Sequence, residues 1–276
     1  MVELFSLPFF ARAAAALLAT GIAFPALGTF ILHLELIPAR FAVMHASLLG
    51  AAAALVFGLD PAPAAMAAAV LAGAAIAVIS WRGKVSAGGS LGLIMTLAMG
   101  LAFIIFYKGK IHAIEAFNLF WGNVLALTPG DLRLTLAGSG AMVAFIALAY
   151  KEIQIVLYDR ELAWATGVSA RAVYGGIMLL VCVGIAVATR ITGALMVDAA
   201  TILPALAARA AARSFRGLLA WGAFFGVVMN AAGFALAFLL DLPVSPAIIV
   251  VGAVVVALAR TAPHLRARVL SRRTGR

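Results

Sequence analysis

Charge is what this chain has least of. Aspartate, glutamate, lysine and arginine make up only 11% of its 276 residues, while 66% are hydrophobic. Soluble domains are about half apolar and about a quarter charged, so a water-exposed fold is excluded: it could not hide this much hydrocarbon. The solvent must be lipid. Cysteine is rarer still. The single Cys182 rules out a disulfide within the chain and a thiolate metal cluster, and its place in an apolar run makes it a buried, inert thiol. No run alternates polar and apolar residues over about ten positions, which excludes a membrane barrel. Internal repeats, low-complexity segments and a soluble insertion of domain length are also missing, so residues 1–276 read as one domain. The start is not a cleavable signal, because Glu3 precedes Arg12 and no basic stretch leads the first apolar run.

What remains is long hydrophobic runs rich in alanine and glycine, the small residues through which lipid-embedded helices pack. A spanning helix needs about 20 apolar residues and satisfies its own backbone hydrogen bonds. Nine segments fit: 13–33, 43–58, 62–80, 89–106, 133–150, 172–188, 191–208, 217–239 and 245–260. The expected fold is an all-α polytopic membrane protein with about nine transmembrane helices. The second segment is short and follows Pro38, and the seventh carries Asp198 and Pro204, so these two are expected to be broken or partly re-entrant. Between the fourth and fifth, "HAIEAFNLFWGNVLALTPGDL" is amphipathic and reads as an interfacial or re-entrant helix.

Basic residues set the orientation. With the carboxyl terminus inside, fifteen of the twenty Lys and Arg, Arg40 among them, fall on the inner side; Arg12, Lys108, Lys110, Arg133 and Arg190 fall outside. The amino terminus is then outside, and the net charge of +10 is mostly topology. The basic tail, 260–276, can meet anionic lipid. A nucleic-acid role would need a soluble basic domain, and there is none.

The longest inner connection, "YKEIQIVLYDRELAWATGVSARAV" at 150–173, is also the most charged. Asp159, Arg160, Glu161 and Leu162 open a short helical stretch that Gly167 can terminate, which suits a rigid exposed helix. Its plainer reading is a solvated loop. "YDRELAWATGV" is, however, similar to the cytoplasmic coupling segment of the zinc/manganese-type ABC importer permeases, usually close to "FDEELAxxSGV". "GALMVDAATILPALAARAAARSF" at 193–215 resembles their "GVLLVSALLIIPAATARLLARSF". "FWGNVLALTPGDL", "DLPVSPAIIVV" and "MHASLLGAAAAL" resemble "LFGNILAVSPxDL", "DLPSGATIVL" and "AHAALPGVALGL". The matches stand in the family's order and cover nearly the whole chain.

The resemblance implies a type II ABC importer permease, sharing a broad plan with the vitamin B12 and iron-siderophore permeases. It implies a cytoplasmic ATP-binding subunit docked on 157–168, an extracytoplasmic metal-binding protein, a second permease copy forming a homodimer or heterodimer, and residence in the inner membrane. The cargo it implies is a divalent transition metal, with zinc first and manganese or iron next. In keeping with that, the chain has no G-x-x-x-x-G-K-[ST] phosphate loop. It is not an enzyme, and ATP acts through the partner.

An ionisable side chain at membrane depth costs several kcal/mol if unpaired, so it faces a cavity or a partner. Two sit deep: His45 in the second segment and Asp198 in the seventh. They are the candidate metal pathway, with Thr201, His33 and Glu35 as secondary candidates; no tight structural metal site is expected. Asn230 reads as interhelical glue. His112 and Glu115 lie outside, where they could meet the binding protein. The family's "GDALAHA" puts a carboxylate four residues before the histidine, on the same helix face; here that position is Phe41. Where the family has serine in "LLVSALL", this chain has Asp198. One carboxylate is missing and another has appeared, and a relay between His45 and Asp198 would make good the loss. Two other classes compete. A secondary transporter would use Asp198 as a coupling carboxylate but ordinarily shows two similar halves. A non-transporting membrane assembly or signalling protein leaves Asp198 unexplained.

Overall fold

The computed structural model describes residues 7–81, 87–111, 122 and 124–274. Ten α-helices and one 3-10 turn account for nearly all of them, with no strand among the described residues. They are α1 (Pro8–His33), α2 (Ile37–Val56), α3 (Pro61–Trp81), α4 (Ala87–Lys108), the turn Val124–Ala126, α5 (Pro129–Leu148), α6 (Tyr150–Tyr158), α7 (Arg160–Ala165), α8 (Ala170–Ala211), α9 (Phe215–Leu239) and α10 (Val244–Thr274).

Their boundaries follow local chemistry. Proline occupies the first turn of α1, α2 and α5, where its missing N–H would lack a partner anyway. Thr128 and Asp131 close a reciprocal capping box on α5. Ser169 and Ser214 accept from backbone N–H groups at the starts of α8 and α9.

Among the described residues, seven helices are long and apolar enough to cross a bilayer: α1, α2, most of α4, α5, the first half of α8, α9 and Val244–Thr261 of α10. The other two of the nine expected segments correspond to shorter apolar stretches, Pro63–Ile76 and Ala199–Ala211. The second segment proves to be a continuous 20-residue helix. Pro38 does not break it because it stands at the helix start. The seventh is set apart by Gly193, whose φ of 76° and ψ of 164° lie outside helical geometry. A straight α8 of 42 residues would run about 63 Å, twice the hydrocarbon thickness. Instead it folds back. Leu27 of α1 lies against Gly184, and the adjacent Gly28 abuts the backbone of Thr201, so both limbs of α8 flank one turn of α1. Of the expected amphipathic segment, 112–121 lies outside the described residues, His112 and Glu115 with it; Val124 and Leu127 are buried in the main core.

Packing assigns each helix end to one of two poles. α9 runs antiparallel to α1, since Gly226 meets Gly21, Gly222 meets Pro25, and the Asn230 amide donates to the Leu17 carbonyl at 2.7 Å. Tyr150 at the start of α6 stacks near Phe215 at the start of α9, with ring centroids 5.5 Å apart. The α1–α2 link, α6, α7 and the α8–α9 link therefore gather at one pole. At the other, Phe10 meets Phe234 and Phe238 at 4.9 and 5.0 Å, and Val56 at the end of α2 lies against Gly109, just past the end of α4. These are the two groups of connections that the charge count separates.

Candidate functional site

The site builds outward from α2. Its single histidine is 9% exposed and holds a fixed orientation: Nδ1 of His45 lies 2.7 Å from the carbonyl oxygen of Phe41, one turn earlier. A carbonyl can only accept, so Nδ1 carries the proton, and in the neutral ring the lone pair sits on Nε2. Protein metal sites orient their imidazoles in the same way, with one nitrogen tied to a backbone oxygen and the other presented. Phe41 thus still contributes oxygen through its backbone, although its side chain cannot.

Two faces of α2 serve different neighbours. Leu48 and Ala52, three and seven residues after His45, join Ala102 and Phe106 of α4 in a buried cluster of their own. Leu36, Ala39, Val43 and Met44 enter the main core with Met196, Val197, Ala199 and Ala200 from the second limb of α8. At about 100° per residue, Arg40 falls on this core face, roughly 140° around the helix from His45. Arg40 is 3% exposed, its guanidinium 4.3 Å above the Phe41 ring. It is the fourth residue of α2, at the pole to which the charge count assigns it. Sequence reasoning missed it as a site residue, though its position four residues before Met44, on the apolar side, carried the signal.

Of the carboxylate candidate, the backbone is placed and the side chain lies outside the described residues. Asp198 stands in the second limb of α8 between Val197 and Ala199, which are 0% and 4% exposed. Thr201 is fully buried; its hydroxyl donates to the Val197 carbonyl at 2.6 Å and its own carbonyl faces Gly28. His33 and Glu35 are both exposed, at the end of α1 and in the link to α2, where Glu35 adopts a φ of 54°. Among the described residues, no three His, Cys, Asp or Glu side chains stand close enough to hold a metal ion.

At the same pole, α7 presents an exposed surface. The Asp159 carboxylate accepts from the backbone N–H groups of Glu161 and Leu162 at 2.7 and 3.3 Å, capping the helix. Gly167, with φ of 76°, ends the segment in the left-handed conformation that glycine adopts without strain. Ala163 is buried beneath, while Tyr158 and Trp164 are about 85% and 84% exposed and Leu162 stands partly out. The side chain of Arg160 lies outside the described residues. Large apolar side chains left in the open at a bundle's polar end are of the kind that a partner protein or the membrane interface covers.

This architecture has solved counterparts. A chain from the structure titled PsaBC from Streptococcus pneumoniae in complex with Fab is similar to this one with a TM-score of 0.83 and 22% sequence identity, over 94% of this chain and 93% of that one. The fold is that of a multi-pass membrane permease. The chain belongs to the ABC 3 transport family, whose model matches residues 6–262. Among its relatives are the manganese transport system membrane protein MntC of Halalkalibacterium halodurans, 26% identical over 93% of this chain and 88% of that protein, and the chelated iron transport system membrane protein YfeD of Yersinia pestis, 22% identical over 96% and 89%. It is accordingly a metal-transport permease subunit, and ATP is hydrolysed by a separate subunit.

Proposed function

We propose that this chain is the inner-membrane permease of an ATP-driven importer for a divalent first-row transition metal, with manganese placed ahead of zinc and iron. The naming of MntC supports manganese and that of YfeD supports iron; zinc rests on the imidazole donor, which also suits softer ions. His45 and Asp198 are the pathway contacts. The observation that carries this is the 2.7 Å bond from Nδ1 of His45 to the Phe41 carbonyl, which leaves Nε2 with a lone pair for a cation. His45 lies on the α4 side of α2, while Val43 and Met44 enter the same core as the second limb of α8, and we read the two as contacts in series. Few protein ligands at each suit conduction, since an ion held by a complete set would not leave. Thr201, His33 and Glu35 are secondary: the first stiffens the limb beside Asp198, and the exposed pair meets the ion near the pole.

The rest of the assembly follows the same reading. Residues 157–168 dock on the ATP-binding subunit, a secreted metal-binding protein delivers the ion at the opposite pole, a second copy completes the permease as a homodimer, and the basic tail 260–276 lies on anionic lipid. Residues 1–276 form one permease domain of nine membrane segments, counting Pro63–Ile76 and Ala199–Ala211.

Metal accumulation in a deletion strain complemented with this chain tests the proposal. Manganese uptake should exceed zinc and iron uptake, and His45→Ala and Asp198→Asn should each abolish it while the protein remains inserted. Phe41→Asp combined with Asp198→Ser, which returns a carboxylate to the turn before His45, should recover part of the activity. Normal uptake by Asp198→Asn would remove Asp198 from the pathway, and zinc accumulation alone would reverse the order of metals.

A further inference from the structure

A force applied to α7 has to leave it through its neighbours, because α7 grips little itself. It is six residues long, and Ala163 is the one buried residue among those described. Asp159 alone, in an extended conformation (φ −156°, ψ 122°), separates it from α6. α6 is better seated. Ile153 and Val156, three apart and so on one helix face, are both buried, and Ile153 belongs to the main core. Ala149, with φ of −97° and ψ of 20°, both ends α5 and starts α6.

The first residue of α6 reaches a further helix. The Tyr150 ring lies 5.5 Å from that of Phe215, tilted by 40°, and the Arg216 guanidinium lies 5.4 Å from its centroid. Both separations fall within the range of aromatic pairs and cation–π contacts. Phe215 and Arg216 are successive residues at the start of α9. Their side chains leave that helix about 100° apart, yet both reach one ring. A phenol is rigid and turns about few bonds, so it passes on a displacement that a long aliphatic chain would absorb by changing rotamer.

The start of α9 is where such a displacement has consequences. Ser214 caps it, accepting from the Gly217 N–H at 3.1 Å. Residues 212–214 alone join it to the second limb of α8. Further along, α9 is clamped to α1 through Gly222, Gly226 and Asn230, so movement at its start is carried along the helix to α1.

We propose that Tyr150 is a positioning residue for transport: it carries the closure of the ATP-binding subunit on α7, by way of α6, to the start of α9 and the end of the second limb of α8. This rests on the reading of 157–168 as the docking segment. The ring is held by a second ring and by a cation, so α6 cannot shift without drawing α9 after it.

The test uses the permease reconstituted in vesicles with its ATP-binding subunit and metal-binding protein, supplied with whichever of Mn²⁺, Zn²⁺ and Fe²⁺ the unaltered complex imports. Tyr150→Ala should lower the ions imported per ATP hydrolysed several-fold, while hydrolysis continues and the complex stays assembled. A residue needed only for folding would lower import and hydrolysis together. Tyr150→Phe, which keeps the ring, should retain the ratio of the unaltered complex. Arg216→Gln should lower it part of the way. Adding Arg216→Gln to Tyr150→Ala should bring no further loss, because residues that act through one contact are non-additive. An unchanged ratio in Tyr150→Ala, an equal loss of import and hydrolysis, no retention by Tyr150→Phe, or additive losses overturns the proposal. Docking is checked apart from it: in a Cys182→Ala background, Trp164→Cys should cross-link to the ATP-binding subunit. Cross-linking with an unchanged ratio in Tyr150→Ala overturns the role of Tyr150 alone. No cross-link from Trp164→Cys removes the docking reading and this role with it.

Discussion

Gly28 and Gly92 are both helical glycines in apolar helices, yet a methyl group would mean opposite things at the two. A Cβ on Gly28 would strike the backbone of Thr201, whereas one on Gly92 meets nothing within 4 Å. Backbone cannot rotate away as a side chain can, so Gly28→Ala must push α1 and the second limb of α8 apart. Gly92→Ala only gains helix propensity, about 1 kcal/mol at most. Thermal unfolding of the purified variants should show a marked loss for Gly28→Ala and no loss for Gly92→Ala. Equal midpoints would mean that the α1–α8 contact is looser than the fold implies. Residues of this kind are hard to read from sequence, because the chain has 26 glycines and only packing separates those that touch backbone from those that face open space. His45 was legible, as a polar group among apolar ones. Arg40 was not, because a basic residue near a helix start is indistinguishable in sequence from a loop charge until the helix boundary is known.

At the scale of elements, α7 is where sequence and structure agree most fully. Asp159 as cap and Gly167 as stop follow from residue type alone, and both occur. What the sequence did not disclose is the apolar exposure of Tyr158 and Trp164, because helices of nine and six residues have too few turns for a periodic pattern to tell inside from outside. If this surface docks on the ATPase, its closure moves α7 as a rigid body. Charge reversal at Asp159 and Glu161 together, or Gly167→Pro, should uncouple transport from hydrolysis in reconstituted vesicles while leaving the permease inserted. Unchanged metal uptake in the double reversal would count against docking here. The other elements were misjudged in an instructive way. Pro38 suggested a broken α2, but a proline in the first turn costs the helix nothing. In the seventh segment Asp198 and Pro204 drew attention, and the break lies before both, at Gly193.

For the whole molecule, the two poles make the charge-based topology testable. The α1–α2 link, α6, α7 and the α8–α9 link share a pole that the excess of arginine and lysine assigns to the cytoplasm. Single cysteines at positions 84, 130, 168, 212, 242 and 270, probed with an impermeant thiol reagent, should read in, out, in, in, out, in. An outside result at 168 would invert the molecule and remove the ATPase from α7 at once. The helical class and the order of spans were legible because lipid allows so few solutions to the backbone hydrogen-bond problem. The fold-back of α8 was not, since it depends on α1 offering one turn to both limbs.

That fold-back has a consequence for chain length. Helix–helix connections ordinarily take about two to eight residues, and such links absorb insertions and deletions. Here the limbs join through Gly193 alone, so there is no slack to absorb anything. One added residue would turn the whole second limb by about 100° and advance it by about 1.5 Å, carrying Asp198 and Thr201 off their faces together without altering either. Spacing at this point therefore specifies the contact with α1 as much as any side chain does and, if Asp198 is a pathway contact, the pathway with it. An alanine inserted after Gly193 should silence uptake, while one inserted after Gly58, where an added Cβ would meet nothing within 4 Å, should be tolerated.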